Sequence, residues 1–152
     1  MIKLIHKIEQ TYNVTTLILD KYVSHILLFT LRLMIANIFW KSGLTKTGNI
    51  DSTILLFKYE YAVPLINPIF AAYSTTFFEI ICSIMIAFGI LTRISILPLI
   101  AITLVIQFFV LQHDQHFHWL IMMITVFTFG AGKICLGNIL EIIAKILKTK
   151  NL

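Results

Sequence analysis

Four apolar blocks, running roughly over 24–44, 69–90, 94–111 and 117–136, constrain this 152-residue chain more than any motif in it. As a helix rising about 1.5 Å per residue, each block is long enough to cross about 30 Å of hydrocarbon, the third being the shortest. Turn chemistry separates them. Gly43, Gly48, Asn49 and Asp51 follow the first block, and Pro64, Asn67 and Pro68 precede the second. Gly89 and Arg93 part the second from the third, and His113, Asp114, Gln115 and His116 part the third from the fourth. The pattern predicts one all-α membrane domain over 1–152, a polytopic bundle of four transmembrane helices with amphipathic surface helices. No internal repeat or low-complexity tract interrupts it.

Composition excludes the other classes. Apolar residues make up 59% of the chain and charged residues only 12%, against about 25% in an average soluble domain. Mean hydropathy is +0.92. So few charges cannot cover so much apolar surface in water, so a disordered chain and an ordinary cytosolic enzyme are ruled out. Cys82 and Cys135 show neither disulfide-scaffold nor zinc spacing. The net charge of +5 does not indicate nucleic acid, because the basic residues are spread between apolar blocks. A lipid bilayer with anionic headgroups is the expected partner.

The basic residues also orient the chain. Eight of the twelve fall on one side: Lys3, Lys7, Lys21, Arg93, Lys133, Lys145, Lys148 and Lys150. Lys41, Lys46 and Lys58 fall on the other, and Arg32 lies inside a span. The positive-inside rule then puts both termini in the cytoplasm, and Trp40, Tyr59, Tyr61, Tyr73 and Trp119 near the outer interface. The first 23 residues carry Glu9 and Asp20 and lack a small-residue cleavage site, so no cleavable signal peptide is expected. Residues 2–19 and 138–150 read as amphipathic helices on the cytoplasmic surface, or docked on another subunit. Asn138 and Glu141 have the spacing of a capping box. Residues 51–61 read as a short outer helix capped by Asp51 or Ser52.

Charges within the spans point to a site. Counted from the start of its block, Arg32 is about 12 Å deep and Glu79 about 15 Å deep, both near mid-height of a slab of about 30 Å. An isolated charge there costs at least a few kcal/mol, so the two are expected to pair and face the bundle interior. Thr75, Thr76, Cys82 and Ser83 share a face with Glu79, and His118 and Thr125 share a face in the fourth block. Asn37 and Gln107 are expected at similar heights. With Lys46 these residues form the candidate lining of one cavity opening outward. The same stripes also describe helices glued together without a ligand.

The HDQHFH stretch at 113–118 holds three imidazoles, His113, His116 and His118. A solvated outer loop is the simpler reading; copper, zinc or haem iron is the sharper one, though no fixed metal motif matches. His118 could also hydrogen-bond a quinone oxygen or relay protons. Cys82 and Cys135 are expected at different depths, which argues against a disulfide between them.

The chain resembles the DoxX family of small bacterial membrane proteins. The resemblance rests on RLMIANIFWKSGLTK (32–46), FKYEYAVPLINP (57–68), AAYSTTFFEIICSIMIAFGILTR (71–93) and GAGKICLG (130–137). It maps family positions onto Arg32, Gly43, Lys46, Pro64, Glu79, Gly89 and Arg93. Where the family often reads Ser-Leu-Asp after its last glycines, this chain has Cys135, Leu136 and Gly137. The resemblance implies a four-helix, multi-pass protein of the bacterial inner membrane. Some relatives are subunits of quinone-linked oxidoreductases such as thiosulfate:quinone oxidoreductase. It therefore implies an oxidoreductase subunit with redox partner subunits and quinone as cofactor. Two other readings stay open: a non-catalytic scaffold or assembly partner, homo-oligomers included, and a small-solute transporter, which the short span count disfavours.

Overall fold

The computed structural model describes residues 2–61, 66–109 and 114–138. The described residues contain helices and no strand. The helices are α1 (Ile2–Ile18), α2 (Ser24–Gly48), α3 (Ile50–Leu56), α4 (Pro68–Phe88), α5 (Thr92–Phe109) and α6 (Asp114–Phe129). Two π-helical turns join them, Leu19–Val23 between α1 and α2, and Phe57–Tyr61 after α3. Among the described residues two helices are long and apolar enough to cross a membrane, His6–Gly48 and Pro68–Phe88; Thr92–Phe108 is a shorter apolar helix.

Local chemistry sets several boundaries. Pro68 starts α4, where its missing N–H costs nothing, and the Asn67 side chain accepts from the Ile69 amide at 2.9 Å. Gly89 ends α4 in the left-handed region (φ 72°), with the Ile90 amide bonded back to the Met85 carbonyl. Asn49 breaks α2 from α3 and accepts from the Ser52 amide at 3.0 Å.

Two boundaries differ from the sequence expectation. The expected separate helix over 2–19 runs through Leu19–Val23 into α2 without a break, because no glycine or proline occurs there to stop it. The fourth apolar block does not stay helical to residue 136. It ends at Phe129, where Gly130 (φ 80°) and Gly132 (φ 71°) turn the chain back. The amphipathic segment expected over 138–150 lies outside the described residues but for Asn138.

The packing is a ring: α2 lies on α4 and α6, and α5 lies on both of those. Leu28, Arg32, Ile35, Phe39 and Gly43 bury one face of α2 at helical spacing. Ile35, Phe39, Cys82, Ile86, Ile96, Leu99, Leu120, Met123 and Val126 form the apolar core. Burial of these side chains supplies roughly 1.5–3 kcal/mol for each large one if water is the reference. In lipid, close packing takes over that role. The short α3 covers the start of α4, where Phe57 packs on Ala71 and Ala72.

Candidate functional site

The α2–α4 contact determines which charges meet. A Cβ built on Gly43 would lie 2.7 Å from Ile80 Cγ1 and 3.4 Å from Glu79 Cβ. Only glycine lets the two helices come this close. One turn further along α2, on the same face, Lys46 reaches across. Its Nζ lies 2.5 Å from Glu79 Oε1, with the side chains 12% and 2% exposed. Glu79 Oε2 is buried and makes no hydrogen bond to the described residues.

The expected Arg32–Glu79 pair does not form. Arg32 is level with Gly89 and lies about 15 Å along α4 from Glu79 at the helical rise. Its Nη1 donates to the Ala131 carbonyl and its Nη2 to the Ala87 carbonyl. These carbonyls sit at or beyond the ends of α6 and α4, where helices leave acceptors unsatisfied. Depth counted from the first apolar residue failed because α2 is continuous with α1. Block 24–44 therefore has no fixed starting height, and the register against α4 decides.

A polar pocket of about 460 Å³ adjoins the Lys46 end. It is lined by Ser42, Thr45, Lys46, Asn49, Ser52, Thr53, Leu56 and Tyr61. Thr53 Oγ1 donates to the Asn49 carbonyl at 3.1 Å and lies 3.4 Å from the Lys46 carbonyl, which ties α3 to the end of α2. A second, almost wholly apolar cavity of about 190 Å³ includes Phe57, Phe70, Ala101, Val105 and Ile106. Tyr61 lines both. Its phenol, outside the apolar blocks, titrates above its ordinary value. Burial raises it first, and the negative charges of Glu79 and then Glu60 add to this.

The other candidate residues do not share one cavity. Thr75 lines the apolar cavity, with its hydroxyl bonded to the Ala71 carbonyl at 2.7 Å. Thr76 is buried and bonded to the Ala72 carbonyl at 2.7 Å. Gln107 is buried and its Oε1 lies 2.9 Å from His116 Nδ1, joining α5 to α6. Asn37 faces out of the ring and is exposed. Thr125 bonds the Ile121 carbonyl of its own helix. His118 is exposed, with Nδ1 2.8 Å from the Asp114 carbonyl. His113 lies outside the described residues, and among the described residues no cluster of three His, Cys, Asp or Glu side chains could hold a metal ion.

Sequence reasoning placed Lys46 in the lining but missed it as the partner of Glu79. It missed Tyr61 and Thr53 as site residues altogether. The signal for Lys46 was present: a glycine one turn before a lysine marks a face that packs closely and ends in a charge.

Comparison with curated proteins and with solved structures gives no match. The DoxX family model matches residues 27–112, which hold α2 to α5 with Arg32, Lys46 and Glu79. That is more than half of the chain, and the chain belongs to the DoxX family of membrane proteins.

Proposed function

We propose that this chain is a four-span subunit of a quinone-linked redox system in the bacterial inner membrane, with both termini cytoplasmic. α5 and α6 are then the third and fourth spans, at about 27 Å and 24 Å long, near the hydrocarbon thickness of about 30 Å. The excess of basic residues on the terminal side supports the orientation.

One observation carries the quinone assignment. Tyr61 lines both a pocket rich in polar side chains, which Lys46 of the buried Lys46–Glu79 pair also lines, and an apolar cavity. This suits an amphiphile with a carbonyl-bearing head and a hydrocarbon tail. The residues fit the group: Lys46 and Tyr61 offer donors, and Glu79 Oε2 is a buried acceptor with no hydrogen bond from the described residues. A bound quinone supplies a two-electron, two-proton acceptor for electrons delivered by a partner subunit. Lys46 Nζ would bind a head oxygen, and Glu79 Oε1 orients the ammonium toward the pocket that Lys46 lines. Tyr61, protonated at neutral pH, would donate from a phenol that lines both cavities.

The test is direct. Protein purified in mild detergent is extracted and assayed for quinone by mass spectrometry, and a short-tailed quinone is titrated against tryptophan fluorescence. Retained quinone and saturable quenching that weakens more than tenfold in Lys46→Met are expected. An empty extract together with quenching unchanged in Lys46→Met overturns the reading. The scaffold alternative has one observation in its favour: both terminal nitrogens of Arg32 are engaged by main-chain carbonyls, so that charge serves assembly of the bundle.

A further inference from the structure

The apolar cavity has a closed side and an open one. Phe57 and Ala71, both buried, form the closed side, where the turn after α3 covers α4. Phe70 of α4 and Ala101 of α5 line the same cavity and are exposed, so it opens on the outer surface of the ring between these two helices.

The lining offers water little. Besides the Tyr61 phenol, the polar side chains among the described lining residues are Ser74 and Thr75. Both spend their hydroxyl protons on the Ala71 carbonyl of their own helix, at 3.3 Å and 2.7 Å. An enclosed water needs about two to four polar partners, so the space favours hydrocarbon. Its size limits how much. A dry cavity of roughly 150 Å³ takes one benzene ring, and this one measures about 190 Å³. It therefore seats a segment of about six carbons, and the rest of a longer chain must leave it. The wall on α5 consists of Ala101, Ile102, Val105 and Ile106. Three of these are bulky and β-branched, whereas Ala101 is small and stands on the open side.

We propose that Ala101 determines which tails the site accepts: the cavity seats the first branched segment of a quinone tail, and the remainder leaves past residue 101, out between α4 and α5. This rests on the quinone reading above, which places the head at Lys46 and Tyr61, and adds to it the residue that selects the tail.

Titration of the purified full chain in one detergent, followed by tryptophan fluorescence, tests it with three ligands. They are trimethylbenzoquinone without a tail and the same ring carrying one or two isoprene units. Ala101→Phe is expected to weaken both tailed ligands about tenfold relative to wild type, since close packing of the first segment is lost, and to leave the tailless one within about twofold. Comparing each ligand with itself cancels its partition into the micelle. Ala101→Leu, less bulky and a good helix former, should give the same ordering with a smaller effect, and so covers the case in which the phenylalanine variant fails to fold. Leu97→Phe, exposed one turn away and outside the lining, should change none of the three. Lys46→Met should weaken all three, the tailless ring included. Tailed binding unchanged in both Ala101 variants, with Lys46→Met weakening every ligand, overturns the tail site and leaves the head site standing. Equal weakening of tailless and tailed ligands in the Ala101 variants also overturns it. A wild-type chain that binds none of the three overturns the quinone reading and this inference together.

Discussion

Lys46 Nζ and Glu79 Oε1 lie 2.5 Å apart, joining α2 to α4 one turn beyond the point where Gly43 lets the two helices touch. The approach of the backbones and the pairing of the charges depend on one another. A wider helix spacing would pull the ammonium away from the carboxylate.

Removing one partner strands the other. Lys46→Met leaves a buried carboxylate with neither oxygen bonded and should cost about 3–5 kcal/mol of stability. Lys46→Met combined with Glu79→Leu should recover most of that, since a well-packed apolar pair replaces a buried ion pair at little cost. Unfolding in mixed micelles, read as a double-mutant cycle, measures the coupling. Strict additivity of the two changes would show that the ion pair contributes nothing.

Arg32 should behave differently. Arg32→Leu leaves the Ala87 and Ala131 carbonyls without their donor and should cost about 3 kcal/mol or more, at about 1.5–3 kcal/mol per charged hydrogen bond. Arg32→Lys should recover less than half, because one ammonium lacks the fork that reaches two carbonyls. Adding Glu79→Leu to Arg32→Leu should change nothing beyond the sum, the two sites being about 15 Å apart. A favourable coupling above about 1 kcal/mol in that cycle would contradict the structure.

Gly89 is the most intolerant small residue. It sits at φ 72°, and a Cβ there would overlap Cys135 Cβ and lie 2.8 Å from Arg32 Nη1. Gly89→Ala should destabilise by about 2–5 kcal/mol, combining left-handed strain with overpacking. Gly48→Ala, with nothing near its Cβ, should be within about 0.5 kcal/mol of wild type or slightly stabilising. The comparison is made by thermal unfolding of the two variants under one detergent condition.

Alkaline titration reports on the site through Tyr61. Its folded-state value lies above the unfolded phenol value of about 10, and the stability it contributes is present below that value. It is lost as pH rises through the raised folded value. Tyrosinate absorbance, taken as the difference between wild type and Tyr61→Phe, isolates this phenol. Glu79→Gln removes one of the charges that raise it and should move the transition to lower pH. A transition that stays in place would mean that Glu79 exerts no field at Tyr61.

Much of the fold was legible because helix ends are written in local chemistry. Asn67 and Pro68 start α4, Gly89 stops it, and Gly130 and Gly132 end α6 short of the apolar block. Apolarity alone missed that last boundary, since residues such as Ala131, Ile134 and Leu136 read as membrane-like whatever their backbone does. The site was half legible. Glu79 and Arg32 stood out as charges in apolar runs, but which cation meets Glu79 depends on the register of α2 against α4, a tertiary quantity. Gly43 held that information, and depth counting ignored it. Tyr61 could not be found from periodicity, because it belongs to a short turn whose place depends on α3 folding back over α4.

The arginine on α2 is fastened by a carbonyl 99 positions later in the chain. During synthesis α2 is therefore made long before one acceptor of its guanidinium, and the bundle is fastened at this point only when the last described stretch is in place. Until the stretch after α6 arrives, only the Ala87 carbonyl of the two acceptors is in the chain.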